Sequence, residues 1–204
     1  MTTNDSKRKV LLSLLGALMK QHGFAKKGFT FCRETEKGLI QVVELRLGPA
    51  WSGKAGEINL EFGIFSEEWN AFLNQTKVPS ALRTADCELR DCYCNRISKT
   101  DSNNWFQLTE TPEQLAQEIT CELESQILPY LDTLKTRIDI LESYRMHGEG
   151  IGLPPRHAIS VGILILGTGD TATGLRLVTE VCQANPANPF YQKVLELVTN
   201  AYAS

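Results

Sequence analysis

The amino-acid sequence predicts an α+β fold: an antiparallel sheet of about four to five strands, packed by helices and followed by a C-terminal helical hairpin or three-helix tail. Three observations predict this fold. Segments rich in β-branched and aromatic residues occupy the first half of the chain, and apolar residues at helical spacing dominate the second half. A glycine- and proline-rich linker, residues 148–156, separates the predicted α+β domain (1–147) from the helical tail (157–204).

The first predicted element is a helix over residues 5–22. Asn4 or Asp5 is a suitable N-cap, and Gly23 is a suitable end because glycine readily ends helices. The apolar residues that recur at three- to four-residue spacing along this segment, and so form one face of a helix, are Val10, Leu11, Leu14, Leu15, Leu18 and Met19.

The predicted strands follow at residues 29–34, 39–47 and 57–65. In the third, apolar residues alternate with polar ones, which predicts one buried and one solvated face, as in an antiparallel sheet. Ser66 is the predicted N-cap of a short helix that ends at Leu73. A fourth strand is expected over 87–97, and residues 105–108 are expected to add a short edge.

The second half of the chain is predicted to be helical. Thr109 or Thr111 opens a helix with Pro112 in its first turn, which bends at Pro129 and continues to about Tyr144. The tail is expected to form helices over 157–166, 171–184 and 189–202. Its Gly162, Gly174 and Pro186 are separated by twelve and twelve residues, as in a tetratricopeptide repeat. Because one repeat cannot bury its own face, a hairpin docked on the main domain is favoured over a peptide-binding array.

Composition excludes several classes of protein. The chain has 204 residues with 42% hydrophobic and 22% charged, which suits one domain or one domain with a small appendage. A net charge of -3 disfavours a protein that coats nucleic acid, although basic residues concentrate in the first 33. No apolar run reaches the ~20 residues that span a bilayer. The six cysteines are irregularly spaced, which predicts reduced thiols and a cytoplasmic protein without a membrane partner.

The stretch LGPAWSGKAGE, residues 47–57, resembles most of a nucleotide-binding P-loop. The position of the magnesium-binding hydroxyl is Ala55, however, and a period-two segment follows where a P-loop requires a helix. The stretch is therefore interpreted as a hairpin loop between two strands. Trp51 within it is expected to cover a sheet edge or to face a partner.

No strong catalytic motif is present, and the sequence predicts neither a cofactor nor a metal. Cys92 and Cys94 share a face of the predicted fourth strand, while Cys87 points the other way, and the three histidines are far apart in sequence. The basic and aromatic run GFAKKGFTFCR, residues 23–33, is typical either of single-stranded nucleic-acid binding or of phenylalanines that anchor the first helix to the sheet. The second interpretation is favoured.

The combination of these segments resembles domain of unknown function family 4304 over residues 8–140. The family pattern is interrupted at Phe62, and the helical tail lies outside the resemblance. The resemblance implies an α+β bacterial domain without an established catalytic activity. The positions that carry it are Phe24, Lys26, Lys27, Gly28, Phe31, Arg33, Asn59, Leu60, Gly63, Cys87, Leu89, Arg90, Trp105 and Pro129.

These observations favour a non-catalytic protein-interaction module, with toxin neutralisation as one version, and another protein is the expected partner. Two alternatives remain: an enzyme or small-ligand binder with a site on the sheet, and nucleic-acid binding through residues 20–33. The polar side chains on or near the strands are expected to form either a binding surface or a salt-bridge network across the sheet. The candidate binding residues are Lys27, Arg33, Asn59, Arg90, Trp51 and Trp105.

Overall fold

The computed structural model describes residues 3–48, 53, 56–75, 77–92, 105–108, 111–148 and 155–202. Their contacts group into two compact units. Unit 1 comprises residues 1–35, 40–65 and 79–133, and unit 2 comprises residues 36–39, 66–78 and 134–204. The division at residues 148–156 into a domain, a linker and a tail stays a prediction, and residues 149–154 of that linker lie outside the described part of the chain.

Unit 1 begins with the predicted N-terminal helix. It consists of α1 (Thr3–Leu14) and α2 (Gly16–Gln21), which are almost continuous because the N–H of Leu15 donates to the carbonyl of Leu11 at 2.9 Å. Gly23 follows with a φ of +81°, a conformation that glycine adopts without steric cost. The predicted helix over 5–22 is present and ends before Gly23 as predicted, but it already includes Asn4 and Asp5, so neither is its N-cap, and it is divided at Leu15.

The antiparallel sheet of unit 1 is a meander. Its strands are β1 (Ala25–Lys27), β2 (Thr30–Glu36), β3 (Leu39–Leu47), β4 (Glu57–Ser66), β5 (Leu89–Cys92) and β6 (Phe106–Gln107). The order along the sheet is β1-β2-β3-β4-β5, and β6 also pairs with β4. Both β5 and β6 run antiparallel to β4.

The predicted strands are present, with different ends. The predicted fourth strand over 87–97 begins at Leu89 instead of Cys87, and residues 93–97 lie outside the described part of the chain. The sequence pattern did not predict β1, a three-residue strand whose side chains are all exposed and therefore give no alternating pattern.

The main hydrophobic core of unit 1 lies between one face of the sheet and the helices. Phe31, Val43, Leu45 and the alternating apolar residues of β4 pack there against α1, α2 and the second-half helices. A smaller cluster contains Cys32 and Val42. These two residues neighbour Phe31 and Val43 in sequence and therefore lie on the opposite face of the sheet.

The long helix of unit 1 is interrupted before its proline. α4 (Pro112–Glu122) has Thr111 at its N-cap, a π-helical turn covers Leu123–Ile127, and α5 (Leu128–Asp132) completes the segment. Pro129, where the sequence predicts a bend, lies immediately after the π-helical turn in α5. The predicted helix start is confirmed.

Unit 2 is helical. Its first helix, α3 (Glu67–Trp69), is capped by Ser66, whose hydroxyl accepts the Trp69 N–H at 3.3 Å, as the sequence predicts. A π-helical turn, Asn70–Asn74, continues it. The remaining helices are α6 (Arg137–Gly148), α7 (Pro155–Gly167), α8 (Thr171–Gln183) and α9 (Pro189–Tyr202). The last three agree with the predicted tail helices to within a few residues. Within the described residues, no helix combines the length and apolar composition needed to cross a bilayer.

Helices α7 and α8 approach closely at two glycines. A Cβ atom at Gly174 would lie 2.6 Å from Leu166 Cγ and 2.8 Å from the carbonyl oxygen of Gly162. A Cβ atom at Gly162 would lie 2.8 Å from Val178 Cγ2. The twelve-residue spacing of the two glycines thus brings them to one helix contact, where any side chain would separate the backbones.

We expect Gly174→Ala to destabilise unit 2. Overpacking costs about 1–3 kcal/mol, and the higher helix propensity of alanine offsets about 1 kcal/mol of that. Gly16→Ala is the matched control, since a Cβ atom at Gly16 would meet nothing within 4 Å. Urea unfolding of the two variants measures the difference. An unfolding midpoint for Gly174→Ala at or above that of the native protein would contradict the close approach.

Candidate functional site

Among the predicted site residues, Arg33 has the most contacts. Its guanidinium donates to Gln41 Oε1 through Nε at 3.0 Å and Nη2 at 2.6 Å, and it contacts Asp132 Oδ1 at 2.8 Å. It also donates to the carbonyl of His22 at 2.9 Å, and it lies 4.5 Å from the centroid of the Phe24 ring. These contacts connect β2 with β3 and with two helix ends.

The role of Arg33 and Gln41 is therefore structural. The carbonyl of His22 follows the end of α2, and the carbonyl of Leu131, at the end of α5, accepts the Gln41 amide at 2.6 Å. The last carbonyls of a helix have no partner inside the helix. Arg33 and Gln41 supply those partners and fasten both helices to the sheet.

A second polar network surrounds Glu44 on β3, whose side chain is 1% exposed. Glu44 Oε1 accepts from Arg83 Nη2 at 2.8 Å and lies 3.5 Å from Arg8 Nη2. Glu44 Oε2 accepts from the Thr84 N–H at 3.1 Å, and the Thr84 hydroxyl lies 2.9 Å from it and 2.8 Å from Glu61 Oε2. Burial opposes ionisation of Glu44, but the bonds from Arg83 and Thr84 outweigh burial and lower its pKa.

The other predicted site residues are dispersed. Lys27 in β1 and Arg90 in β5 are exposed, Trp105 is half-buried just before β6, and Asn59 on β4 is 2% exposed. Asn59 alternates with core residues on its strand, whereas Arg33 has the same parity as the core residue Phe31, so the two lie on opposite faces of the sheet. Trp51 lies outside the described residues.

The loop of the P-loop-like stretch joins two strands, as predicted. The N–H of Gly48 donates to the carbonyl of Glu57 at 2.9 Å, and Gly53 and Gly56 both have positive φ. Since β4 follows where a phosphate site needs a helix N-terminus, the hairpin interpretation is confirmed.

The buried thiols are poor nucleophiles. Burial raises the pKa of Cys87, Cys32 and Cys182, so the reactive thiolate form is scarce at neutral pH. Phe24 and Phe31 of the basic and aromatic run are buried in the core, as the favoured interpretation of residues 23–33 predicts, and they offer no surface for base stacking. Within the described residues, no group of His, Cys, Asp or Glu side chains is arranged to hold a metal ion.

Unit 2 contains a pocket of about 510 Å³ at Arg137. The Arg137 side chain is 7% exposed, and its guanidinium contacts Glu68 through Nε at 2.9 Å and through Nη2 and lies 3.1 Å from Glu36. A Cβ atom at Gly167 would lie 2.7 Å from Arg137 Nε and 2.8 Å from Glu68 Oε1, so a side chain there would displace this pair. The remaining lining residues include Phe72 and Tyr202, whose ring centroids are 6.2 Å apart.

Unit 1 contains a groove of about 480 Å³ between α1 and α4, which we call the α1/α4 groove. Leu14 on α1 is 42% exposed and lines it. Val10, one turn earlier on the same helix, is 44% exposed. The other groove residues lie on α4 and, for the last of them, on the π-helical turn that follows: Glu113, Ala116, Gln117, Thr120, Cys121 and Glu124.

Sequence reasoning missed the Glu44 network, the Arg137 pocket and the α1/α4 groove. A signal for the first was present. The first seven residues of strand 39–47 read LIQVVEL, in which Gln41 and Glu44 are the two polar residues of a stretch that is otherwise apolar enough to be buried. A buried polar group requires partners, so these two residues indicated internal networks. The groove left no such signal, because it depends on how two distant helices pack.

The geometry defines an α+β domain whose best-organised charged groups stabilise the fold and whose helices leave an open groove. Residues 15–133 match the sequence profile of the family described as "Domain of unknown function (DUF4304)". The match covers more than half of the chain, and the chain belongs to this family. The remaining C-terminal helices lie beyond the matched residues. Comparison with curated proteins and with solved structures gives no match.

Proposed function

We propose that the protein is a non-catalytic protein-interaction module. The observation that carries this proposal is the exposure of Val10 and Leu14 beside the α1/α4 groove. Other apolar residues of α1, such as Leu11 and Leu12, are fully buried. Large apolar side chains that adjoin a concave surface are typical of protein contact sites.

The state of the charged residues supports a binding role. Catalysis requires titratable groups that are accessible to a substrate. Arg33 instead forms its hydrogen bonds with a helix end, and Glu44 forms its hydrogen bonds with Arg83 and Thr84. These are the contacts of a scaffold that positions its helices.

The proposed setting is a cytoplasmic, bacterial one, and toxin neutralisation is the version that the charge supports. With a net charge of -3, the chain would associate faster with a basic target than with an acidic one. A neutralising protein acts by covering such a target, for which an apolar groove and an acidic surface are suited.

The test is an affinity pull-down of the tagged full chain from a lysate of its source cells, followed by mass spectrometry and by reconstitution with the purified candidate. We expect one partner at one-to-one stoichiometry. The Ile138→Ser variant is the control for non-specific hydrophobic binding, since Ile138 is a 59% exposed apolar residue of unit 2. A native chain that retains no protein above the level of an unrelated bait would refute the proposal.

The pocket at Arg137 favours a second candidate, a small-ligand binder. Its volume of about 510 Å³ lies in the range of ligand pockets. This candidate predicts that a metabolite library contains a compound that raises the melting temperature of the native protein and not that of Tyr202→Ala. The nucleic-acid alternative predicts binding that weakens steeply with salt.

A further inference from the structure

We propose that the α1/α4 groove binds a basic amphipathic helix of a partner protein. This inference rests on the proposed function and specifies the chemistry of the partner. It comes from three features of the groove: its length, its apolar wall and the position of its carboxylates.

The stripe of groove residues that begins on α4 is long enough to contact a docked helix. Along α4 and into the π-helical turn that follows it, one stripe lines the groove at i, i+4, i+7 and i+11: Glu113, Gln117, Thr120 and Glu124. At 1.5 Å per residue, the two glutamates are about 16 Å apart along the axis. A partner helix of about three turns spans that distance and packs along this stripe beside Leu14.

The α1 wall supplies the apolar contact. Val10 and Leu14 are one turn apart, so they form a continuous apolar edge. Lys7 is also near this edge. Its ammonium donates a hydrogen bond to the carbonyl of Leu108 at 2.7 Å, so this cation is already engaged within its own chain. Apolar residues at i and i+4 of a partner helix would cover this edge.

The charges of the groove specify basic partner residues. Among the residues that the structure describes, the groove lining contains Glu113 and Glu124 and no lysine or arginine. Within the described residues, neither carboxylate has a hydrogen bond or an ion pair. A partner helix with lysine or arginine about eleven residues apart places one cation at each end of the groove.

The same charges disfavour a second copy of the chain. A two-fold contact brings the same patch of both copies together. In an antiparallel arrangement of two α4 helices, Glu113 of one copy faces Glu124 of the other at both ends. Like charges in such a contact repel, whereas a basic helix neutralises both carboxylates.

A charge-swap experiment tests the inference directly. The probe is a fluorescein-labelled helical peptide of about 15 residues, with leucines at i, i+4 and i+7 and lysines eleven residues apart; a second peptide has glutamates in place of the lysines. Fluorescence anisotropy measures both against the native chain and against the double variant Glu113→Lys/Glu124→Lys. We expect the native chain to bind the lysine peptide at least tenfold more tightly than the double variant does. We expect the double variant to prefer the glutamate peptide.

Two control variants separate the groove from general electrostatics. Glu142→Lys/Glu196→Lys makes the same change of net charge at two exposed positions of unit 2 and is expected to bind the lysine peptide like the native chain. Leu14→Ser is expected to weaken binding of both peptides. Equal loss in the two double variants, or no reversal of preference, would overturn the groove assignment. Circular dichroism verifies that each variant is folded.

Retention of the protein partner by the native chain and by the double variant distinguishes a failure of this inference from a failure of the proposed function. If a partner is retained by the native chain and by Glu113→Lys/Glu124→Lys alike, the groove assignment is wrong and the interaction role stands. If the native chain retains no partner, the proposed function fails. Light scattering that shows a native dimer and a monomeric double variant would assign the groove to a second copy and overturn the inference.

Discussion

The Glu44→Ala variant is expected to lose about 3–5 kcal/mol of unfolding free energy, the range for breaking a buried ion pair. Glu44 is 1% exposed and Arg8 is 9% exposed. Removing the carboxylate leaves the Arg8 guanidinium buried without this counter-charge. It also removes the acceptor of the Thr84 N–H, on a segment that Arg83 and Thr84 hold against β3.

Urea denaturation at neutral pH measures this loss. Glu44→Gln keeps the shape and one acceptor and is expected to lose less than Glu44→Ala. Glu118→Ala is the control, since Glu118 is an exposed glutamate of α4. A loss below 1 kcal/mol in Glu44→Ala would mean that the network contributes little to stability.

The Glu44 network also predicts a dependence of stability on pH. The pKa of Glu44 in the folded chain lies below its ordinary value of 4.5. A group with a lowered pKa stabilises the fold fully above its unfolded-state pKa, and this contribution disappears as pH falls through the folded-state value. The difference in unfolding free energy between the native chain and Glu44→Gln is therefore expected to be constant above about pH 5.5 and to shrink below pH 4.5.

The second large effect is expected for Trp69→Ala, at about 3–5 kcal/mol. The Trp69 side chain is 1% exposed, and its indole N–H donates to the carbonyl of Ser160 on α7 at 2.9 Å. Truncation removes this bond and leaves a cavity in the helical core of unit 2, which surrounding side chains fill only in part.

Thermal unfolding followed by circular dichroism measures the loss. Trp69→Phe retains most of the apolar volume and is expected to show a smaller decrease in melting temperature. Trp105→Ala is the comparison at a half-buried tryptophan. If Trp105→Ala destabilised the protein as much as Trp69→Ala, the assignment of Trp69 to the core of unit 2 would be wrong.

The accuracy of the sequence-based prediction followed the strength of the local pattern. Strand β3 was predicted with its observed bounds because nine residues of LIQVVELRL give a strong strand signal. The α9 helix was predicted with the same accuracy from its apolar spacing and its flanking proline. β1 was missed because its sequence AKK has no strand preference, and it pairs only because the turn at Gly28 folds it back on β2.

Sites were harder to predict than elements, because their members are distant in sequence. Glu44 bonds to Arg83 and Thr84, which are 39 and 40 positions further along the chain. Arg33 bonds to Asp132, which is 99 positions away. The pattern identified Arg33 as a polar family position but not its partners, which depend on helix packing. Which face of α1 stays uncovered depends in the same way on α4, about a hundred residues later.

The contact between Trp69 and Ser160 has a consequence for the order of events during synthesis. The two residues are 91 positions apart. At about 5–20 residues per second, a ribosome takes roughly 5–18 s to add the residues between them. During that interval the indole of Trp69 lacks its partner on α7 and exposes its apolar surface to water. The growing chain therefore presents a transient binding site for chaperones until the α7 segment emerges.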